Sequence, residues 1–238
     1  MWKNKKISVI FPTYNEKDSI KNSIEDFFSS GFVDEIIVIN NNAKAGTDEE
    51  VKKTKARIIY EKKQGYGYAI WKGLEQTSGD YIIISEPDGT FSGRDVIKLL
   101  AYSDDFDYVI GTRTTEELIW QGANMDFFLK WGNWFTGKII EFLYNTTSLT
   151  DVGCTMRLIK RPAYEKIKRF FTVGKQHFGP EMTLLIIKSG IKFIEIPVNY
   201  KPRIGTSSVT GSKKKAFFLG LKMILLIFRY RFKKIKLD

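Results

Sequence analysis

Residues 79–90 read Gly79-Asp-Tyr-Ile-Ile-Ile-Ser-Glu-Pro-Asp-Gly-Thr90. Residues 81–85 are apolar without alternation, which marks a strand covered on both faces. The run stops at Glu86, and Pro87-Asp88-Gly89 has the composition of a tight turn. Glu86 and Asp88 therefore stand two residues apart just past a strand end. At that spacing two carboxylates can converge on one hard cation such as Mg²⁺ or Mn²⁺.

The same grammar extends in both directions. Residues 7–11, 35–39, 57–60 and 107–111 read as further buried strands. Between them, residues 18–30, 48–54, 68–76 and 95–102 carry helical spacing. Strand and helix in alternation predict an α/β fold with a mostly parallel sheet covered on both faces. Ligands of such sheets bind beyond the carboxyl ends of the strands. That rule selects residues 12–16, 40–42, 86–90 and 111–113. The second half differs: an aromatic helix over 126–144, helices over 162–170 and 177–189, a strand over 192–196, a basic Gly/Ser/Thr loop over 201–212 and a last helix over 213–236.

Charge is distributed unevenly along the 238 residues. Residues 201–238 hold 11 Lys/Arg and one acid, a net +10, out of +11 for the whole chain. The body is therefore close to neutral. A basic tail interleaved with Phe, Leu and Ile fits an anionic lipid surface better than nucleic acid, which would call for an even basic coat. Its longest uncharged apolar runs are six residues, far short of the roughly 18 needed to span a bilayer. The apolar stretch that follows Lys6 is too short for a signal peptide. One cysteine, Cys154, precludes an internal disulfide, and one histidine, His177, precludes a His/Cys zinc centre. The expected location is cytoplasmic, peripheral on the cytoplasmic face of a membrane.

Five segments in order resemble family-2 glycosyltransferases of the GT-A fold. They are Ser8-Val-Ile-Phe-Pro-Thr-Tyr-Asn-Glu16, Glu35-Ile-Ile-Val-Ile-Asn-Asn-Asn42 with the loop to Thr47, Gly79 to Asp88, Asp151-Val-Gly-Cys-Thr-Met-Arg157, and Glu195-Ile-Pro-Val followed by Arg203-Ile-Gly-Thr-Ser-Ser208. The last is similar to the dolichyl-phosphate mannose/glucose synthase branch. The resemblance implies a GT-A domain over 1–212 and a basic amphipathic helix over 213–238. It implies an inverting transfer of a hexose from a nucleotide-diphosphate sugar to a polyprenyl phosphate. A saccharide hydroxyl is the alternative acceptor, and a non-catalytic sugar-nucleotide scaffold the alternative of another class.

Residue by residue, the resemblance puts Pro12, Tyr14, Glu16 and Asn40 around base and ribose, with Asn40 where the family commonly has Asp. Gly65 and Gly67 would let the backbone approach the donor. Glu86 and Asp88 would be the metal pair, with Thr90 as a third contact. Arg113 and Arg203 would hold the diphosphate, with Ser207 near it. Lys130 and Asn133 fall near an acceptor-binding position. Asp151 and Glu181 are the candidate bases. The helix containing Glu181 has one acid where hydroxyl-glycosylating relatives have a pair, which favours a phosphate acceptor: phosphate is already ionised near neutral pH and needs no base.

Overall fold

The computed structural model describes residues 2–123, 127–206 and 212–235. Seven strands form one sheet: β1 (Ile7–Thr13), β2 (Glu35–Asn40), β3 (Arg57–Tyr60), β4 (Tyr81–Ile84), β5 (Tyr108–Thr112), β6 (Arg157–Lys160) and β7 (Phe193–Pro197). Their order is β3-β2-β1-β4-β6-β5-β7. β6 runs antiparallel to both neighbours, and the other pairings are parallel. The expected mostly parallel sheet is present.

Helices cover both faces: α1 (Ile20–Ser29), α2 (Thr47–Lys52), α3 (Tyr66–Gln76), α4 (Val96–Tyr102), α5 (Phe127–Tyr144), α6 (Arg161–Ile167), α7 (Phe178–Lys188) and α8 (Lys213–Phe232). The central strands are buried because their runs are apolar on both faces; Val9, Ile10, Ile37, Val38, Ile82 and Ile83 are all fully enclosed. Burying each such side chain stabilises the fold by roughly 1.5–3 kcal/mol. α1 turns Ile20, Ile24 and Phe27 inward at helical spacing. α3 lies close on β1 at Gly73, where a Cβ would come 2.4 Å from Ile10 Cγ2.

Two features differ from the expectation. β6 is a strand where the sequence reading had only a connecting segment. Its four residues are flanked by charge and offer no periodic signal. Pairing with β4 and β5 decides it, through contacts such as Ile83 to Leu158 and Val109 to Leu158. The second is α8. Its C-terminal half buries Leu226, Ile227 and Tyr230 in the common core. Tyr144 donates to the Ile227 carbonyl at 2.7 Å, and Lys188 to the Tyr230 carbonyl at 2.7 Å. Residues on either side of the 212/213 boundary thus share one core.

α8 also leaves Phe217, Leu221, Leu225, Phe228 and Phe232 exposed, spaced as one helical stripe. α5, which packs against it, exposes Trp131, Trp134, Phe135 and Phe142. Among the described residues no helix is long and apolar enough to cross a membrane.

Candidate active site

The carboxyl ends of β1, β2, β4 and β5 open onto a cavity of about 490 Å³. Pro12, Tyr14 and Glu16 line it from the turn after β1. Asn41, Gln64, Gly65 and Tyr66 continue that wall, Glu86 and Arg113 form the floor, and Tyr200 and Arg203 close the side. Three of the four loops selected from strand ends contribute expected residues: Pro12, Tyr14 and Glu16 from the first, Glu86 from the third and Arg113 from the last. In the second, Asn41 faces the cavity and Asn40 does not line it.

Asn40 and Asn41 have different work. Asn40 donates to Asp48 Oδ1 at 2.7 Å and accepts the Ala43 N–H at 2.8 Å, which folds the loop after β2. Asn40, expected beside the nucleotide base, is engaged in this loop and does not line the cavity. Asn41 donates to the Glu61 and Lys63 carbonyls and accepts the Gly65 N–H at 2.8 Å, so it ties the β2 loop to the start of α3. Gly65 and Gly67 make a close backbone approach, but to another segment. A Cβ on Gly65 would lie 2.1 Å from the Gly174 carbonyl oxygen, and one on Gly67 2.3 Å from that of Val173. Their requirement for glycine is met by packing against residues 173–174, and Gly65 lines the cavity as a consequence.

Asp88 is wholly buried, at 0% exposure. Its Oδ1 accepts both the Thr90 N–H and the Thr90 hydroxyl, at 2.9 and 2.5 Å. Thr90, expected as a third metal contact, orients Asp88 through these two bonds. Asp88 Oδ2 accepts no hydrogen bond and forms an ion pair with Arg203 Nη2 at 2.5 Å. Arg203 Nη2 also donates to Glu86 Oε2 at 2.8 Å. Burial, and then the Asp88 charge, push the Glu86 carboxyl up to about 8, opposed by Arg203. For Arg203, burial disfavours the charge, but Glu86 and Asp88 outweigh it and hold the guanidinium protonated.

These donors suit a hard divalent cation. Both are carboxylate oxygens, and one is buried with no hydrogen bond. No group of three or more His, Cys, Asp or Glu side chains surrounds the spot among the described residues. The pair fits an ion that completes its shell with phosphate oxygens and water.

Arg113 is held by a bidentate pair with Asp151. Its Nε and Nη2 pair with Asp151 Oδ2 and Oδ1 at 2.7 and 2.8 Å, and its own N–H reaches Oδ2 at 3.0 Å. Tyr200 lies under the guanidinium, 5.2 Å from ring centroid to Cζ. Burial works against the Arg113 charge, and the Asp151 carboxylate overcomes it. Glu195 holds the next layer by accepting the Thr150 and Asp151 N–H groups. Burial and the neighbouring Asp151 charge push Glu195 up to about 7, against those two N–H bonds.

Both candidate bases lie away from the cavity wall. Asp151 is fully buried behind Arg113 and does not line the cavity. Glu181 is likewise at 0% exposure. Its oxygens accept the Thr172 N–H and hydroxyl, the Val173 N–H at 2.9 Å and the Tyr230 hydroxyl. It pins α7, residues 172–173 and α8 together. Among the described residues, Glu16 and Glu86 are the carboxylates that line the cavity. Lys130 pairs with Glu116 at 3.8 Å, whereas Asn133 lines the cavity. Ser207 lies outside the described residues.

Sequence reasoning selects Asn41 only as part of the 40–42 strand end and gives no role to Gln64, Tyr66, Thr155 or Tyr200, all of which line the cavity. Arg157, the last residue of the fourth matching segment, is buried and donates to the Tyr108 hydroxyl and the Cys154 and Gly179 carbonyls. For Asn41, adjacency to Asn40 was the available signal, since a strand's side chains alternate faces. Tyr200 carried none.

Beyond the floor, the cavity runs between α5 and α8. Leu129 and Gly132 line one side, and Ala216, Leu219, Gly220 and Met223 the other.

The model of the glycosyl transferase family 2 domain matches residues 8–168, more than half of the chain. The chain belongs to glycosyl transferase family 2. Among curated relatives of the chain is the glycosyltransferase AglJ of Haloferax volcanii, 27% identical over 201 residues, covering 83% of this chain and 63% of that protein. The low-salt glycan biosynthesis hexosyltransferase Agl6 of the same organism is 29% identical over 215 residues, covering 85% and 49%. An undecaprenyl-phosphate 4-deoxy-4-formamido-L-arabinose transferase of Salmonella paratyphi B is 26% identical over 213 residues, covering 84% and 61%. The chain thus spans between 49% and 63% of these relatives' lengths. Glucosyl-3-phosphoglycerate synthase of Mycobacterium tuberculosis, solved with Mn²⁺, UDP and glucosyl-3-phosphoglycerate, shares the GT-A fold of this transferase. Its TM-score is 0.76 at 13% identity, over 98% of this chain and 82% of that one.

Proposed function

We propose that this glycosyltransferase moves a hexose from a nucleotide-diphosphate sugar, of the GDP-mannose or UDP-glucose type, onto a polyprenyl phosphate at a membrane surface, with inversion. The observation that carries this reading is the far end of the cavity. Among the described residues, its α5 and α8 walls present Leu129, Leu219, Met223, Ala216, two glycines and Asn133, and no carboxylate. An acceptor with an apolar body and an already ionised nucleophile fits such a wall. A saccharide hydroxyl would need a base there.

In this reading Pro12, Tyr14, Glu16, Asn41 and Gln64 receive the nucleoside. Glu86 and Asp88 hold Mg²⁺ or Mn²⁺, which would neutralise the charge that develops on the departing diphosphate. Arg113, kept rigid by Asp151, presents its remaining N–H groups to phosphate oxygens, and Arg203 faces the diphosphate from the other side. An acceptor phosphate oxygen forms the bond to the anomeric carbon as the bond to the donor phosphate breaks. The electron pair leaves with the nucleoside diphosphate, and no proton need be removed. The exposed stripes of α5 and α8, flanked by Lys214, Lys215, Lys222, Arg229 and Arg231, would rest on anionic lipid at the cytoplasmic face. The relative named as an undecaprenyl-phosphate sugar transferase supports the acceptor class.

The test is transfer of labelled sugar from UDP-glucose and GDP-mannose, with Mn²⁺, in detergent. Label that enters the organic phase only when polyprenyl phosphate is present supports the reading. Transfer to free mono- or disaccharides without polyprenyl phosphate refutes it.

A further inference from the structure

One nitrogen of Arg203 bridges two carboxylates. Its Nη2 stands 2.8 Å from Glu86 Oε2 and 2.5 Å from Asp88 Oδ2, while Nη1 lies 4.0 Å from Glu16 Oε1. A cation placed between two converging carboxylate oxygens is the geometry a divalent metal would adopt. The segment that carries Arg203 is fastened to the turn of the metal pair itself. Lys201 donates its N–H to the Thr90 carbonyl at 2.8 Å, and Ile204 to the Asp88 carbonyl at 2.9 Å. Ile204 also covers Gly89, where an added Cβ would lie 3.2 Å from its Cδ1. Asp88 Oδ1 is already taken by Thr90, so Oδ2 has Arg203 as its partner.

We propose that Arg203 is the resident counter-ion of the Glu86–Asp88 pair, and that a divalent metal and Arg203 exclude each other there until a diphosphate arrives. An ion at coordination distance from Asp88 Oδ2 and Glu86 Oε2 takes the space and the lone pairs that the guanidinium uses. A divalent ion and a guanidinium would otherwise set three positive charges against the two carboxylates of Glu86 and Asp88. The donor's diphosphate supplies the missing negative charge: it ligates the metal and accepts the displaced guanidinium. Metal alone is then a weak ligand, and metal and nucleotide promote each other's binding by the same factor. The residue that leaves the metal seat is the residue then free to close on the diphosphate. The inference rests on the reading of Glu86 and Asp88 as the metal pair.

The experiment measures Mn²⁺ bound to the full chain from the loss of the free-ion paramagnetic signal, first without nucleotide. Arg203→Ala should bind Mn²⁺ alone at least tenfold more tightly than the native chain. Arg203→Lys, which keeps the charge, should stay near the native value. Adding UDP or GDP should raise native Mn²⁺ affinity by a larger factor than it raises that of Arg203→Ala. Thermal melting confirms that each variant is folded. Equal or weaker Mn²⁺ binding by Arg203→Ala, with Asp88→Asn abolishing the binding, overturns the exclusion while leaving the metal pair intact. Binding that is indifferent to Asp88→Asn overturns both.

Discussion

Replacing Glu181 by Gln separates a structural acid from a catalytic one. The substitution keeps the shape and removes one acceptor oxygen. If the amide oxygen takes the place of Oε1, it keeps the Thr172 and Tyr230 hydroxyls. Its NH₂ then meets the Val173 N–H, donor against donor, at a position now 2.9 Å from that nitrogen. One hydrogen bond to a charged group is lost, worth about 1.5–3 kcal/mol, and a buried N–H is left without an acceptor, costing about 1–3 kcal/mol. The sum is about 2.5–6 kcal/mol. In a chain of this size each kcal/mol moves Tm by about 2–4 °C, so a fall on the order of 10 °C is expected. Urea unfolding gives the free energy directly, and turnover is measured well below the new Tm. Turnover per folded molecule should change by less than about threefold. Tyr230→Phe should weaken the same node, and the double variant should cost less than the two singles together, because they share a bond. A stability within 1 kcal/mol of native, combined with a turnover loss of about 10²–10⁴, is the signature of a lost general base and would refute the reasoning.

Three further outcomes follow from the same geometry. Asp151→Asn leaves Arg113 buried without its carboxylate; breaking such a pair costs about 3–5 kcal/mol, and KM for the donor should rise with it, read by urea unfolding and steady-state kinetics. Glu195 gains a proton as pH falls through about 7 and then gives up one of the two N–H groups that it holds. Turnover should therefore decline below that pH, and Glu195→Gln should be slow throughout and lack the limb. Stability runs the other way: the raised value makes Glu195's contribution greatest below its ordinary range near 4.5, and that contribution is lost as pH rises through about 7. Leu225→Asp combined with Phe232→Asp lies on exposed positions, 69% and 82% accessible. It should abolish sedimentation with anionic vesicles while leaving the melting temperature within about 2 °C of native, since surface substitutions are usually within 0.5 kcal/mol.

Much of this site is legible in one dimension because parallel α/β sheets place function at strand ends. Residues 12–16, 86–90 and 111–113 are picked out by the end of an apolar run alone, and each segment contributes at least one residue to the cavity wall. The direction of individual side chains is not legible in this way. Asn40 and Asn41 are chemically identical neighbours, and the pleat decides which faces the ligand. Asp151 and Glu181 look like bases in a sequence because an acid's role depends on what surrounds it. Here one is saturated by Arg113 and the other by Thr172, Val173 and Tyr230.

By itself, the sequence determined the alternation of strands and helices, the parallel sheet, the carboxylate pair past β4 and the segregation of basic charge into the last 38 residues. Local rules suffice for these, since backbone periodicity and turn chemistry act over a few residues. The tertiary structure alone decided the antiparallel insertion of β6, the packing of Gly65 and Gly67 on residues 173–174, the anchoring of α8 through Tyr230 and the seating of Arg203 on Glu86 and Asp88. Each joins segments far apart in the chain: Arg203 and Glu86 are 117 residues apart, and Tyr230 and Glu181 are 49. Such contacts depend on how packed elements are placed against one another, and no local pattern encodes that placement.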